Sequence, residues 1–180
     1  MRAVIWFILC VAAGALAFGQ PAVLTEHRVM IPERGEVLGC MISFDTNHFS
    51  FLPPPAWRVS CKPGTKSVVM MSQDLSSSIT IDFPDLENSD QKQTAKDLLT
   101  ARYANAKLRG TFACHTGIGG GNAFDIERKA ANQVRLNSRV VYVDLGSSVV
   151  EFALTSPLSQ FSEHTAALDN LVNTFRRPVR

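Results

Sequence analysis

RVVYVDLGSSVVEFALTSPLSQFSEHTAALDNLVNTFRR, residues 139–177, reads as two alternating strands, a glycine turn and an amphipathic helix in immediate succession. Val141, Val143 and Leu145 share one face of the first strand, and Val150, Phe152 and Leu154 share one face of the second. Glu151 and Thr155 fall on the other side, the period of two that half-buried strands show. Gly146 with Ser147 and Ser148 supplies the reversal. Pro157 suits a first helical position, where its missing N–H is not needed, and Ser156 suits the N-cap before it. Leu158, Phe161, Leu168, Leu171, Val172 and Phe175 then lie on one helical stripe, Arg176 and Arg177 complement the negative helix end, and Pro178 stops it. The chain therefore ends as a β-hairpin covered on one face by a helix.

Working outward, the same alternation predicts strands over residues 40–44, 49–52, 67–71 and 78–83, with 23–31 as a first strand or an extended arm. Pro53, Pro54 and Pro55 take the chain out of any sheet, after which Trp57 and Val59 return to the core. A second helix is predicted over residues 90–108, capped by Asn88 or Ser89, with Ala95, Leu98, Leu99, Tyr103 and Ala106 on its apolar stripe and Gly110 ending it. Residues 111–116 and 123–129 form a further hairpin around the glycines, with Phe124 and Ile126 inward. Strands joined by short turns, with helices that come singly, predict an α+β fold: an antiparallel β-sheet covered by helices.

The first 19 residues stand apart, with Arg2, an apolar run from Ala3 to Ala13 and a small-residue stretch ending at Gly19. This is the pattern of a secretory signal peptide, and the run is shorter than the roughly 20 apolar residues of a membrane span. The expected mature protein is exported, periplasmic or secreted, with no stable membrane insertion after cleavage. The chain has 180 residues and a formal net charge of +2. The length allows one domain with a real core, and so weak a charge points away from nucleic acid. Of the four cysteines, Cys40, Cys61 and Cys114 lie beyond the leader. Cys40 and Cys61 flank a segment that folds back on itself and are the disulfide candidates for an oxidising compartment.

Phe49-Ser50-Phe51-Leu52-Pro53-Pro54-Pro55-Ala56-Trp57, the strand, strand, helix, strands, helix order, and the closing Leu171-Val172-Asn173-Thr174-Phe175-Arg176 together resemble the PsbP-like family. The resemblance covers about residues 44–177, which gives a division into a signal peptide (1–19), an N-terminal strand or arm (20–43) and a PsbP-like α+β domain (44–180). It implies an α/β/α sandwich and an accessory or binding role, not an enzymatic one. No residues match a plant PsbP metal site or the surface with which Mog-type relatives bind Ran.

Individual residues point to little chemistry. Gly117, Gly119, Gly120, Gly121 and Asn122 form a glycine-rich candidate binding loop, without the Gly-Lys-Ser/Thr of a nucleotide site. Trp57 behind its prolines is either a core residue or a candidate interface anchor. His27, His48, His115 and His164 are scattered without metal-ligand spacing, so neither metal nor cofactor is expected. The adjacent Cys114 and His115 point to opposite strand faces. The expected function is non-enzymatic binding of an unknown protein or small ligand. The alternatives are a small hydrolase or thiol enzyme assembled from distant residues such as Cys114, His115 and Asp125, and a structural envelope component.

Overall fold

Strand β10 (Val149–Pro157) lies at the middle of the large sheet, its side chains mostly apolar and mostly buried on both faces. In the computed structural model, residues 21–31, 35–62, 64–84, 94–130, 134–146 and 148–178 are described. Residues 1–19, over which the sequence pattern suggests a signal peptide, lie outside them. Strand β9 (Arg135–Asp144) pairs antiparallel with β10, Val143 opposite Val150 and Val141 opposite Phe152, so the faces expected from the alternation meet on one side of the sheet. On the other side of β10 runs β6 (Ser78–Asp82), with Ile81 opposite Phe152.

The preceding elements are β1 (Val23–Ile31), β2 (Gly35–Phe44), β3 (Asn47–Phe51), β4 (Arg58–Cys61) and β5 (Ser67–Met71). Between β6 and β9 come helix α1 (Ala95–Arg102), β7 (Lys107–Thr116) and β8 (Gly119–Lys129), and α2 (Phe161–Thr174) closes the chain. A seven-stranded sheet runs β4-β5-β6-β10-β9-β8-β7, and β1-β2-β3 form a separate three-stranded sheet. Every pairing is antiparallel. The result is the α+β class, with α2 and the small sheet over one face of the large sheet and α1 over the other.

The first face is closed by aromatic rings. Phe175, which caps α2 and is fully buried, lies 5.0 Å from Phe49 in a stacked arrangement and 4.9 Å from Phe152 edge-on. Phe49 belongs to the small sheet and Phe152 to the large one, so one ring ties both sheets to α2. Backbone hydrogen bonds between Ser50 and Arg176, 2.8 and 2.9 Å, fix the same junction. Ile42 and Phe44 share this core. Residues 21–31 and 35–43 are thus a paired part of the domain and not a detached arm.

Three details differ from the sequence reading. Pro157 is the last residue of β10, opposite Leu136, and α2 begins after a turn with Gln160 at its N-cap. Leu158 is accordingly 62% exposed and Ser156 is buried. Helix α1 ends at Arg102, and Lys107, Leu108 and Gly110 belong to β7, because Leu108 pairs with Ile126 in a ladder that extends past the glycine. The candidate caps Asn88 and Ser89 lie outside the described residues; Thr94 caps α1 through a reciprocal pair of bonds with Asp97. Finally, Cys40, Cys61 and Cys114 are free thiols. Cys40 sits in β2 of the small sheet and Cys61 ends β4 of the large one; both pack against the same core, and Cys61 is near enough to help burial and Glu26 raise the Cys40 thiol, but the two are not bonded.

Phe175→Ala removes the shared ring and should cost about 3–5 kcal/mol. Urea denaturation checks this, and a loss below 1 kcal/mol would show that the small sheet does not rest on it.

Candidate functional site

The β7–β8 ladder places Lys107 opposite Glu127. The end of α1 lies over the same corner, since Leu98 and Leu99 of α1 pack with Phe124, Ile126, Val140 and Tyr142. Between them opens a cleft of about 590 Å³, lined by residues 102–107 and 127–129. Tyr103 and Ala106 give it an apolar floor, being partly buried against that core. Its charged lining is Arg102, Lys107, Arg128, Lys129 and Glu127.

Two of these charges are already engaged. Glu127 forms an ion pair with Arg109, which holds its carboxyl below the usual range. Arg102 reaches into the sheet, where its guanidinium pairs with Asp82 and lies 2.9 Å from Glu151 Oε2 as an ion pair rather than an aligned hydrogen bond. Glu151, 1% exposed, also accepts a 2.9 Å hydrogen bond from the Tyr103 hydroxyl. Asp82 and Tyr142 are its cross-strand neighbours. Burial pushes the Glu151 carboxyl above its ordinary value, with the Arg102 charge opposing. Burial followed by the Glu151 charge likewise raises the Tyr103 phenol. This knot fixes both residues that end α1, and thereby one wall of the cleft.

Among the described residues Lys107, Arg128 and Lys129 form no ion pair, although the charge of Lys107, opposite Glu127, helps Arg109 to lower that carboxyl. Arg128 donates from Nη2 to Thr155 Oγ1 at 3.1 Å and lies 5.8 Å from the Tyr103 ring centroid, while its buried Nε–H finds no acceptor. The cleft can therefore offer cationic donors beside an aromatic wall.

The residues singled out in the sequence fall elsewhere. Gly119, Gly120, Gly121 and Asn122 are not a loop but the start of β8, paired with Thr116, His115, Cys114 and Ala113. Only Gly117 and Ile118 turn the chain. Two of the glycines are needed for packing: a Cβ on Gly117 would lie 2.4 Å from the Phe175 carbonyl oxygen, and one on Gly121 would lie 2.9 Å from that of Tyr142. Cys114 and His115 border a hollow of about 310 Å³ beside α2, but Asp125 is not in its lining. Arg139 grips both Asp125 oxygens, at 2.8 and 3.0 Å. Burial, then the Asp169 charge, raises the Cys114 thiol, which opposes thiolate formation. Trp57 is half-buried, its ring edge-on to His164 at 5.3 Å.

Two histidines meet a serine hydroxyl among the described residues: His48 Nδ1 lies 2.9 Å from Ser43 Oγ on the exposed side of the small sheet, and His164 Nδ1 lies 2.8 Å from Ser77 Oγ. Ser77 is itself buried and donates to Ser156 Oγ at 2.9 Å, so it accepts from the imidazole instead of losing a proton to it. Together with the bond from Ser77 N–H to Ser72 Oγ, this pins the loop before β6 to α2.

Neither a sequence-family profile nor a curated protein sequence matches the chain. Among solved structures, cyanobacterial PsbP (CyanoP) from Synechocystis sp. PCC 6803 superposes with a TM-score of 0.52 at 14% identity, over 72% of this chain and 86% of that one. The fold is PsbP-like. LpqN of Mycobacterium tuberculosis, described as involved in cell envelope biogenesis, shares the PsbP-like arrangement with a TM-score of 0.51 at 12% identity, over 86% of this chain and 92% of that one. A Mog1 mutant aligns over 85% of this chain and 96% of its own, at 14% identity and a TM-score of 0.48. Among the described residues, no helix is long and apolar enough to cross a membrane.

The Glu151 knot yields a signed prediction. A carboxyl raised above its ordinary 4.5 takes up a proton more readily in the folded chain, so its contribution to stability falls as pH rises through the folded pKa. Arg102→Ala removes the opposing charge and raises that pKa further. The variant should lose about 3 kcal/mol at pH 8, the low end for breaking a buried pair because the guanidinium is partly exposed, and less at pH 5. Urea denaturation at both pH values measures it; a deficit independent of pH would show that Glu151 is not the group left uncompensated.

Proposed function

We propose that this is an exported, non-enzymatic binding or accessory protein whose ligand seat is the cleft between the end of α1 and the β7–β8 ladder. The observation that carries the reading is the cleft itself: a concave, partly apolar space bordered by Lys107, Arg128 and Lys129, none of which forms an ion pair among the described residues. Binding sites take this form, with an apolar body and a few convergent polar groups. The thiol-enzyme alternative is disfavoured by the raised Cys114 thiol and by the capture of Asp125 by Arg139. Export rests on the leader-like sequence of residues 1–19. The envelope-related description of LpqN supports the same compartment.

Ala104 lines the cleft and is exposed, so Ala104→Trp should fill the space while leaving the core intact. Tagged wild-type and variant chains recovered from the native envelope fraction are compared by quantitative mass spectrometry. A protein or small molecule enriched on the wild type should fall to background on the variant; equal recovery on both would reject the cleft as the seat.

A further inference from the structure

Arg128 carries the next step. A guanidinium presents five N–H donors and keeps its charge at any physiological pH. In β8 this group is half-buried, one hydroxyl and one aromatic face satisfy part of it, and its Nε–H is shielded from solvent without an acceptor. That Nε–H is out of reach of anything in the cleft, so what Arg128 brings to the space it lines is the charge of its guanidinium. Arg102, the other guanidinium of the cleft, is matched by Asp82 and Glu151 and shows what a completed arginine looks like in this fold.

Lys107 and Lys129 border the same space. The one carboxylate in the lining, Glu127, is neutralised by Arg109. The cleft thus holds three positive charges outside any ion pair among the described residues, around a volume of about 590 Å³, large enough for a small ligand and not only for an ion. A monocarboxylate would answer one of the three. A phosphate group offers two negative charges or nearly so, together with the oxygen geometry that a guanidinium fork accepts. From these observations we infer that the cleft binds a phosphate-bearing ligand, with Arg128 as its principal contact and Lys107 and Lys129 as flanking charges. Tyr103 forms the apolar wall against which the rest of the ligand lies.

This inference rests on the cleft being the seat of binding and specifies what the seat takes. A phosphate can arrive on a soluble molecule or on a lipid headgroup, so the experiment has two arms. In the first, inorganic pyrophosphate is titrated into the folded full chain at constant ionic strength by calorimetry. In the second, vesicles of phosphatidylcholine with and without phosphatidic acid are sedimented with the chain. Arg128→Gln and the double variant Lys107→Gln, Lys129→Gln are run beside the wild type, with circular dichroism confirming that each is folded. The lysines are exposed, so the double variant gives an independent readout if Arg128→Gln is unstable. Saturable binding in either arm, weakened at least about tenfold by the substitutions, supports the inference and identifies the source of the phosphate. Absence of binding in both arms, or binding that the variants leave unchanged, overturns it. If Ala104→Trp loses its envelope partner while neither phosphate probe binds, the ligand class fails and the cleft reading stands. If the probes bind but that partner is unaffected, the cleft reading fails separately.

Discussion

A strand buried on both faces accepts a carboxylate only if the fold brings a cation to it. Strand β10 meets that condition with Glu151, whose neighbours Val150 and Phe152 face α2 while Glu151 itself faces α1. Arg102 supplies the cation and Tyr103 a hydrogen bond, and both come from the last turn and cap of α1. The position of α1 over the sheet is therefore specified by polar groups as well as by Leu98 and Leu99. Where α1 stops, the chain must cross to β7 at the sheet edge, and the cleft opens at that crossing.

The two faces of the large sheet carry different duties. The α2 face is sealed by rings from both sheets around Phe175, and it holds most of the large buried side chains. The α1 face has a smaller core and a shorter helix, so cationic side chains reach a concave surface there. The main core and the proposed binding cleft are in this way placed on opposite sides of β10. The Ser77–His164 pairing belongs to the first duty, since it fastens a loop to α2.

Much of the architecture was legible because it is periodic. The β9–β10 register, β1, β5 and the buried face of α2 follow from alternation or a helical stripe, and the PsbP-like class followed from their order. The reading erred where a residue type has two uses. Pro157 fits a helix start, yet it also ends a strand; Gly119 to Gly121 suggest a loop, yet they are paired in β8, and at Gly121 the missing side chain lets the strand approach Tyr142 closely. Glu151 was placed on a solvated face because a half-buried strand was assumed. The run Val149-Val150-Glu151-Phe152-Ala153-Leu154 is instead nearly continuous in apolar residues, the mark of a strand covered on both sides, and from that its glutamate must be buried and paired. The cleft had no sequence signal. Lys107 and Arg128 are far apart in the chain and meet only through the β7–β8 register, which no local motif encodes.

The central claim is that β10 lies under cover on both sides, with Glu151 held in the interior by the end of α1. The most direct measurement is a carbon-detected NMR titration of the Glu151 side-chain carboxyl in the folded protein. A midpoint above the ordinary 4.5 is predicted from its burial. A midpoint at or below 4.5 would place that carboxylate in water, and with it would go the account of how α1 is positioned and why the cleft forms beside it.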